Sequence, residues 1–319
     1  MSTKNMYKDQ TIHHYKHRRK PNRSIGGDVG IYIFLALCSI MMVFPLFFAI
    51  CNALKPLDEV LKNPPTVFPR NPTFDNFSDL LITMSQGWVP LSRYIWNTIF
   101  ITVVGTLGHV VLASMAAYVL AKYRFPGGQL FFRIAVVALM FSGYVTGIPN
   151  YLIMCKLHMV DTYWSLILPA IGGSLGLFLM KQFMEGLPTS LIEAAKIDGA
   201  GEYRTFFQIT LPLLKPSMAA VGFMMATVYW NDWQNALLYI TSDRKKPLQL
   251  LLINIQKSIE FLLNNSNVPA SVKAAMGGTI PQYSATMATV IVVIGPIMVI
   301  YPFFQKYFVK GLTVGSVKG

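Results

Sequence analysis

Along this chain, long stretches without Asp, Glu, Lys or Arg alternate with shorter polar stretches punctuated by Pro and Gly. The uncharged stretches run 29 to 54, 94 to 121, 134 to 155, 162 to 180, 216 to 231 and 274 to 305. A hydrocarbon core about 30 Å thick takes roughly 20 helical residues to cross, so five of the six are long enough outright. The stretch from 216 to 231 would cover only about 24 Å as a helix, which predicts that it continues past Asp232 to Ile240. The pattern therefore predicts an all-α integral membrane protein with six transmembrane helices, at about 29–54, 94–121, 134–155, 162–180, 216–240 and 281–305. Residues 1–28 form a basic tail ahead of this transmembrane domain, 29–319.

Composition agrees with that pattern. The chain is 53% apolar and only 13% charged, whereas an average soluble domain is about a quarter charged. Orientation follows from Lys and Arg, because cationic loops resist translocation. One side collects the tail to Arg23, residues 122 to 133, residues 181 to 215 and the C-terminus, and these carry 17 of the 27 basic residues. That side, with both termini and the 181–215 loop, is expected to be cytoplasmic. The tail's His13, His14 and His17 lie among Arg18, Arg19 and Lys20, a composition expected to stay solvated near anionic lipid rather than bind metal. Cys38, Cys51 and Cys155 lie in or beside the apolar stretches and form no disulfide framework.

The 186–216 segment carries the most chemistry. Ser190 and Glu193 have the spacing of a capping box, which predicts a short helix starting there. Gly199 and Gly201 flank Ala200 and permit a sharp bend, after which Glu202 to Ile209 can form a second short helix. Ala194, Ala195 and Ala200 keep the surface low, and Ile197, Phe206 and Phe207 offer apolar anchors. The bland reading is an ordinary loop with a capped helix.

Glu193-Ala194-Ala195, two residues, Asp198-Gly199-Ala200, five residues, Phe206, two residues, Ile209, one residue, Leu211-Pro212 fills every position of the coupling-loop motif of ABC importer permeases, and the chain resembles that family. The resemblance implies that Glu193 pairs with a basic group in an ATPase groove and that Gly199 makes the turn. A second likeness lies at the C-terminus, where Phe308 to Gly319, with Gly311, Leu312, Thr313, Gly315 and Lys318, looks like the tail of maltose-type sugar permeases. In that subfamily the tail reaches toward the ATPase interface, and its glycines and lysines suit a flexible probe. No G-x-x-x-x-G-K-[ST] loop and no catalytic motif occurs in the chain, so it is expected to be a non-catalytic transport subunit without a cofactor of its own. The likeness implies partners: two ATP-binding subunits that hold ATP and Mg, a second homologous permease and an extracytoplasmic solute-binding protein. It also implies a bacterial plasma membrane, surrounding lipid and no nucleic acid.

For the solute path, Trp230-Asn231-Asp232-Trp233 combines rings, an amide and a carboxylate, which suits the C–H faces and hydroxyls of sugars. An interfacial aromatic belt is the competing reading. Tyr144 and Asn150 are further polar candidates, and His109 is expected to be a hydrogen-bonded packing residue. Arg244-Lys245-Lys246 admits uronate-bearing sugars as cargo, or plain solvated charge. A secondary transporter or channel working without an ATPase is the alternative function, and it would want charged pairs deep in several spans.

Overall fold

The computed structural model describes residues 25–56, 59, 66–78, 89–264 and 282–316, and among them no strand occurs. The chain divides into two compact units, Met1–Ala49 and Ile50–Gly319. Helix α1 (Ile25–Ala53), whose residues to Ala49 belong to the first, is apolar on all sides, with Met41 and Met42 largely exposed, the pattern of a helix that takes lipid or protein as its solvent.

In the second unit, α2 (Leu91–Lys122) is an unbroken helix of 32 residues, about 48 Å long. Around it lie α3 (Gly128–Ala138), α4 (Gly143–Lys156), α5 (Trp164–Ile171), α6 (Ser174–Glu185), α7 (Thr189–Ile197), α8 (Glu202–Leu213) and α9 (Lys215–Trp230). The short α10 (Gln234–Tyr239), then α11 (Leu248–Asn264) and α12 (Gln282–Ser316), follow. The core lies where α2 meets α5, α6 and α9, with Ile101, Ala117, Ile167, Met180, Met184 and Val221 at its centre. Small residues let these helices approach closely. A Cβ on Gly105 would lie 2.4 Å from the Tyr229 ring, and the Tyr229 hydroxyl donates to Ile167 O at 3.0 Å.

Among the described residues three helices are long and apolar enough to cross a membrane, Gly26–Ala53, Leu91–Lys122 and Trp164–Glu185, and the number is five if each of two bent pairs is one span, against the six expected. The structure corrects several expected boundaries. The 134–155 stretch is not one straight helix, because α3 and α4 meet at 112°. Ser142 is extended there, and its Oγ accepts from Tyr144 N at 3.4 Å, which starts a new helix. The helix expected to stop at 180 runs to Glu185, since Lys181 pairs with Glu185 and lies 4.1 Å over the Phe132 ring.

The helix expected over 216–240 ends at Trp230. Asn231 Nδ2 caps it by donating to Thr227 O at 2.9 Å, and Asp232 accepts from Asn235 N and Nδ2 at 3.1 and 3.0 Å, which starts α10. Asp232 is thus held by Asn235 in the turn that leads into a short helix. The expected flexible tail is also corrected: α12 stays helical through Ser316, so Gly311, Leu312, Thr313 and Gly315 lie on a helix. Lys318 and the basic tail to Arg23 fall outside the described residues.

Candidate functional site

The 186–216 segment forms an elbow of two helices, α7 and α8. Gly199 turns it at φ +75°, and its amide donates to Lys196 O at 3.0 Å, while Ala200 N reaches Ala195 O at 2.9 Å. This is the glycine-closed helix end expected of a residue free of Cβ strain. The capping box is not made: Pro188 precedes α7, and no side chain caps it. Proline's fixed φ and ψ of 130° at the cap set the entry direction instead. Glu193 is therefore exposed and uncommitted to a cap, as are Ala194 and Asp198 to burial.

The motif divides by direction. Ala195 and Phe206 face inward, 4% and 6% exposed, and the Phe206 ring packs 5.1 Å from Tyr118 at the end of α2. Ile209 and Leu211 are half-buried and Pro212 is exposed. Ile197 and Tyr203 point outward, 86% and 81% exposed, with Phe207 half-exposed. Of the expected anchors, Ile197 and Phe207 remain available to another protein, whereas Phe206 is spent on the chain's own core. Thr205 to Thr210 is π-helical, a widened turn of the kind found at functional sites.

A polar cluster that sequence reasoning missed ties the elbow to α2. Glu202 on α8 accepts from the Tyr123 hydroxyl and from the Tyr118 hydroxyl at 3.4 Å, and pairs with Lys196 on α7 at 3.1 Å. Lys196 Nζ also lies 5.3 Å from the Tyr123 ring centre, and Lys122 Nζ donates to Leu187 O at 2.8 Å. The Tyr123 hydrogen bond and Lys196 hold the Glu202 carboxyl below its usual range. Burial first, then the bond to Glu202, pushes the Tyr123 hydroxyl up. The only sequence signal was three ionisable or phenolic residues, Tyr118, Lys122 and Tyr123, crowded at the end of an apolar run.

The expected path residues fall into two sets. Tyr144, 80% exposed, has its hydroxyl 2.9 Å from Gln234 Nε2, which brings α4 beside the turn holding Asp232 and Trp233, and Lys257 lies 5.3 Å over the Trp233 ring. Trp230 and Asn231 are occupied structurally, Trp230 Nε1 donating to Val293 O at 3.1 Å. Asn150 is half-buried on α4, and no contact joins it to this set. His109 packs as expected: it is fully buried, with Nδ1 3.0 Å from Ala170 O.

At the other end of α2 the 241–248 loop is stapled down. Asp161, in a left-handed conformation at φ +61°, accepts from Ser242 N and Oγ at 2.9 and 2.5 Å and from Lys245 Nζ at 3.0 Å. Lys246 pairs with Asp243 at 2.5 Å, so two cations of the basic triplet already have carboxylate partners. Burial alone would raise the Asp161 carboxyl, but the Ser242, Lys245 and Thr241 donors outweigh it and hold it well below the usual carboxylate range. A depressed carboxylate stabilises above its ordinary pKa and loses that contribution only as pH falls through the lowered folded value. Amide exchange in 241–247 is therefore expected to show constant protection between pH 5 and 8 after correction for intrinsic rates, and Asp161→Ala to abolish that protection. Loss of protection already at pH 5 in the parental chain would contradict the staple.

Four likenesses bear on the whole arrangement. The chain is 32% identical over 292 residues to the polygalacturonan/rhamnogalacturonan transport system permease protein YtcP of Bacillus subtilis, covering 92% of this chain and 98% of that one. It is 33% identical to the arabinooligosaccharides transport system permease protein AraQ of Halalkalibacterium halodurans, covering 89% and 94%. Its fold matches a chain in the crystal structure of a bacterial ABC transporter involved in the import of the acidic polysaccharide alginate, with a TM-score of 0.75, 24% identity and coverage of 91% and 100%. Residues 109–314, which include the whole elbow, match the binding-protein-dependent transport system inner membrane component family. The chain is a member of that family of inner membrane transport components.

Proposed function

We propose that this chain is one of two permease subunits of an ATP-binding cassette importer for carbohydrates, with oligosaccharides as cargo. The observation that carries the reading is the elbow: a glycine-closed helix pair that presents Ile197, Tyr203 and Phe207 outward beside an exposed Glu193. Apolar side chains rimmed by a carboxylate suit a groove on another protein, and here that protein is an ATPase subunit holding ATP and Mg. The carbohydrate assignment is supported by the names of the polygalacturonan/rhamnogalacturonan and arabinooligosaccharides permeases at about a third identity.

In this reading the elbow and both termini are cytoplasmic in a bacterial plasma membrane. A second homologous permease completes the path, and an extracytoplasmic solute-binding protein delivers the sugar. Glu193 meets a basic group of the ATPase, Ala194 and Ala200 let the two backbones approach while Ala195 packs inward, and the C-terminal helix end with Gly311, Leu312, Thr313 and Gly315, followed in sequence by Lys318, extends toward the ATPase pair. Tyr144, Trp233 and Asp232 line the path, with Asn150, Trp230 and Asn231 near it. When the ATPase subunits close on ATP they displace the elbow, and the helices above it tilt.

The test is recovery of partners on the tagged chain from its own membranes. An ATPase subunit should copurify in amounts comparable to the chain. Removing the carboxylate of a desolvated interfacial pair costs about 2 kcal/mol or more, so Glu193→Ala should lower recovery about 30-fold while membrane insertion is unchanged. A chain that imports labelled oligosaccharide with no ATPase attached would overturn the proposal.

A further inference from the structure

Helix α2 is gripped at both ends. At the Lys122 end, the elbow's entry is held by Lys122 Nζ on Leu187 O at 2.8 Å, and its exit limb by Tyr123 on Glu202 and by the Tyr118 and Phe206 rings, 5.1 Å apart. At the Leu91 end, Asn97 Nδ2 donates to Arg244 O and Lys246 O at 2.9 and 3.0 Å, and Thr98 Oγ1 accepts from Leu248 N at 2.8 Å. Tyr163 completes this grip, its hydroxyl donating to Asn97 Oδ1 at 2.8 Å. Between Asn97 and Tyr118 the helix has no proline and no break, and it covers about 31 Å.

We propose that α2 is the lever that carries the elbow's displacement to the 241–248 loop on the opposite face of the membrane, and that Tyr123 and Glu202 are the positioning residues that fix the elbow to it. The proposal rests on the elbow docking an ATPase, as above. Magnitude decides what the cluster is for. Lys196 and Glu202 are each about half exposed, and an ion pair so exposed to water contributes little to folding. What the cluster supplies is direction. One carboxylate receives a phenol from α2 and an ammonium from α7 while itself sitting on α8, so three elements meet at a single point. Hydrogen bonds to a carboxylate are short and directional, and a push on α7 or α8 therefore turns α2 with it.

The experiment uses spin labels at Ser190→Cys on the elbow and Arg244→Cys on the far loop, in a chain with Cys38, Cys51 and Cys155 changed to Ser. Ser190 is exposed and outside the cluster, and Arg244→Cys keeps the backbone carbonyl that Asn97 uses. The complex is purified with its copurifying ATPase and measured without nucleotide and after trapping with ATP and vanadate. The expected result in the parental background is one label separation common to both states, because the lever moves as a unit. Tyr123→Phe removes only the hydroxyl and keeps the ring under Lys196; it and Glu202→Ala should each shift or broaden the trapped-state separation, with ATPase recovery unchanged. Glu202→Gln keeps an acceptor for Tyr123 and should restore the parental separation, which a merely structural defect would not do. A separation that stays fixed in Tyr123→Phe and Glu202→Ala, or one that already changes in the parental chain, overturns the lever. Failure of any ATPase to copurify with the parental chain is a different result, and it removes the docking reading and the lever together.

Discussion

A Gly199→Val chain is expected to insert into the membrane and recover about a tenth of the parental ATPase subunit when purified by tag. Gly199 sits at φ +75°, a conformation that costs an L residue roughly 1 to 3 kcal/mol and is worst for a β-branched one. No atom lies within 4 Å of where its Cβ would be, so the penalty is backbone strain and not a clash. The strain is relieved only by reopening the turn that holds Gly199 N on Lys196 O and Ala200 N on Ala195 O. That re-aims α7 relative to α8 and disperses the Ile197 and Tyr203 face, and about 1.4 kcal/mol already corresponds to tenfold in association. Asparagine tolerates the left-handed region, so Gly199→Asn should recover most of the ATPase. Equal recovery for valine and asparagine would show that the turn does not direct the elbow.

The largest expected effect on stability is at Gly176. A Cβ there would lie 1.8 Å from His109 Nε2. The ring cannot retreat, because His109 is fully buried and its Nδ1 is committed to Ala170 O on the other side at 3.0 Å. Forcing a methyl into such a site costs typically 1 to 3 kcal/mol and occasionally more, so Gly176→Ala should lower the thermal midpoint in detergent by roughly 5 °C. His109→Ala removes both the obstruction and a buried Nε2 that has no hydrogen-bond partner among the described residues. Combined with Gly176→Ala it should recover most of the loss, a non-additivity that marks direct contact. Simple additivity of the two changes would mean that the close approach of α2 and α6 is not what Gly176 provides.

Much of this protein was legible from residue order. Apolar runs of membrane length locate α1, α2 and the α5–α6 pair, because burying backbone in lipid demands helices whatever the neighbours are. The elbow's turn was legible for a related reason, since Gly199 constrains its own backbone and such constraints act locally, whereas the entry expected from Ser190 and Glu193 is set by Pro188 instead. Three boundaries were not legible. The break between α3 and α4 depends on Ser142 catching the Tyr144 amide, the end of α9 on Asn231 reaching Thr227 O and Asp232 binding Asn235, and the extension of α6 on Lys181 finding Glu185 and the Phe132 ring. In each case a polar side chain had a partner that hydropathy does not record.

Residue order thus settled the all-helical class, three helices of membrane length, the turn at Gly199 and membership of the transporter family, since all of these follow from local backbone preference or from a contiguous motif. Folding settled which motif residues turn inward, Ala195 and Phe206, and which stay outward, Ile197 and Tyr203. It also brought Tyr123 to Glu202, 79 residues apart, and Asn97 to Arg244, 147 residues apart. Contacts over such separations are made by helix packing, and no periodicity along the chain encodes which side chains will meet.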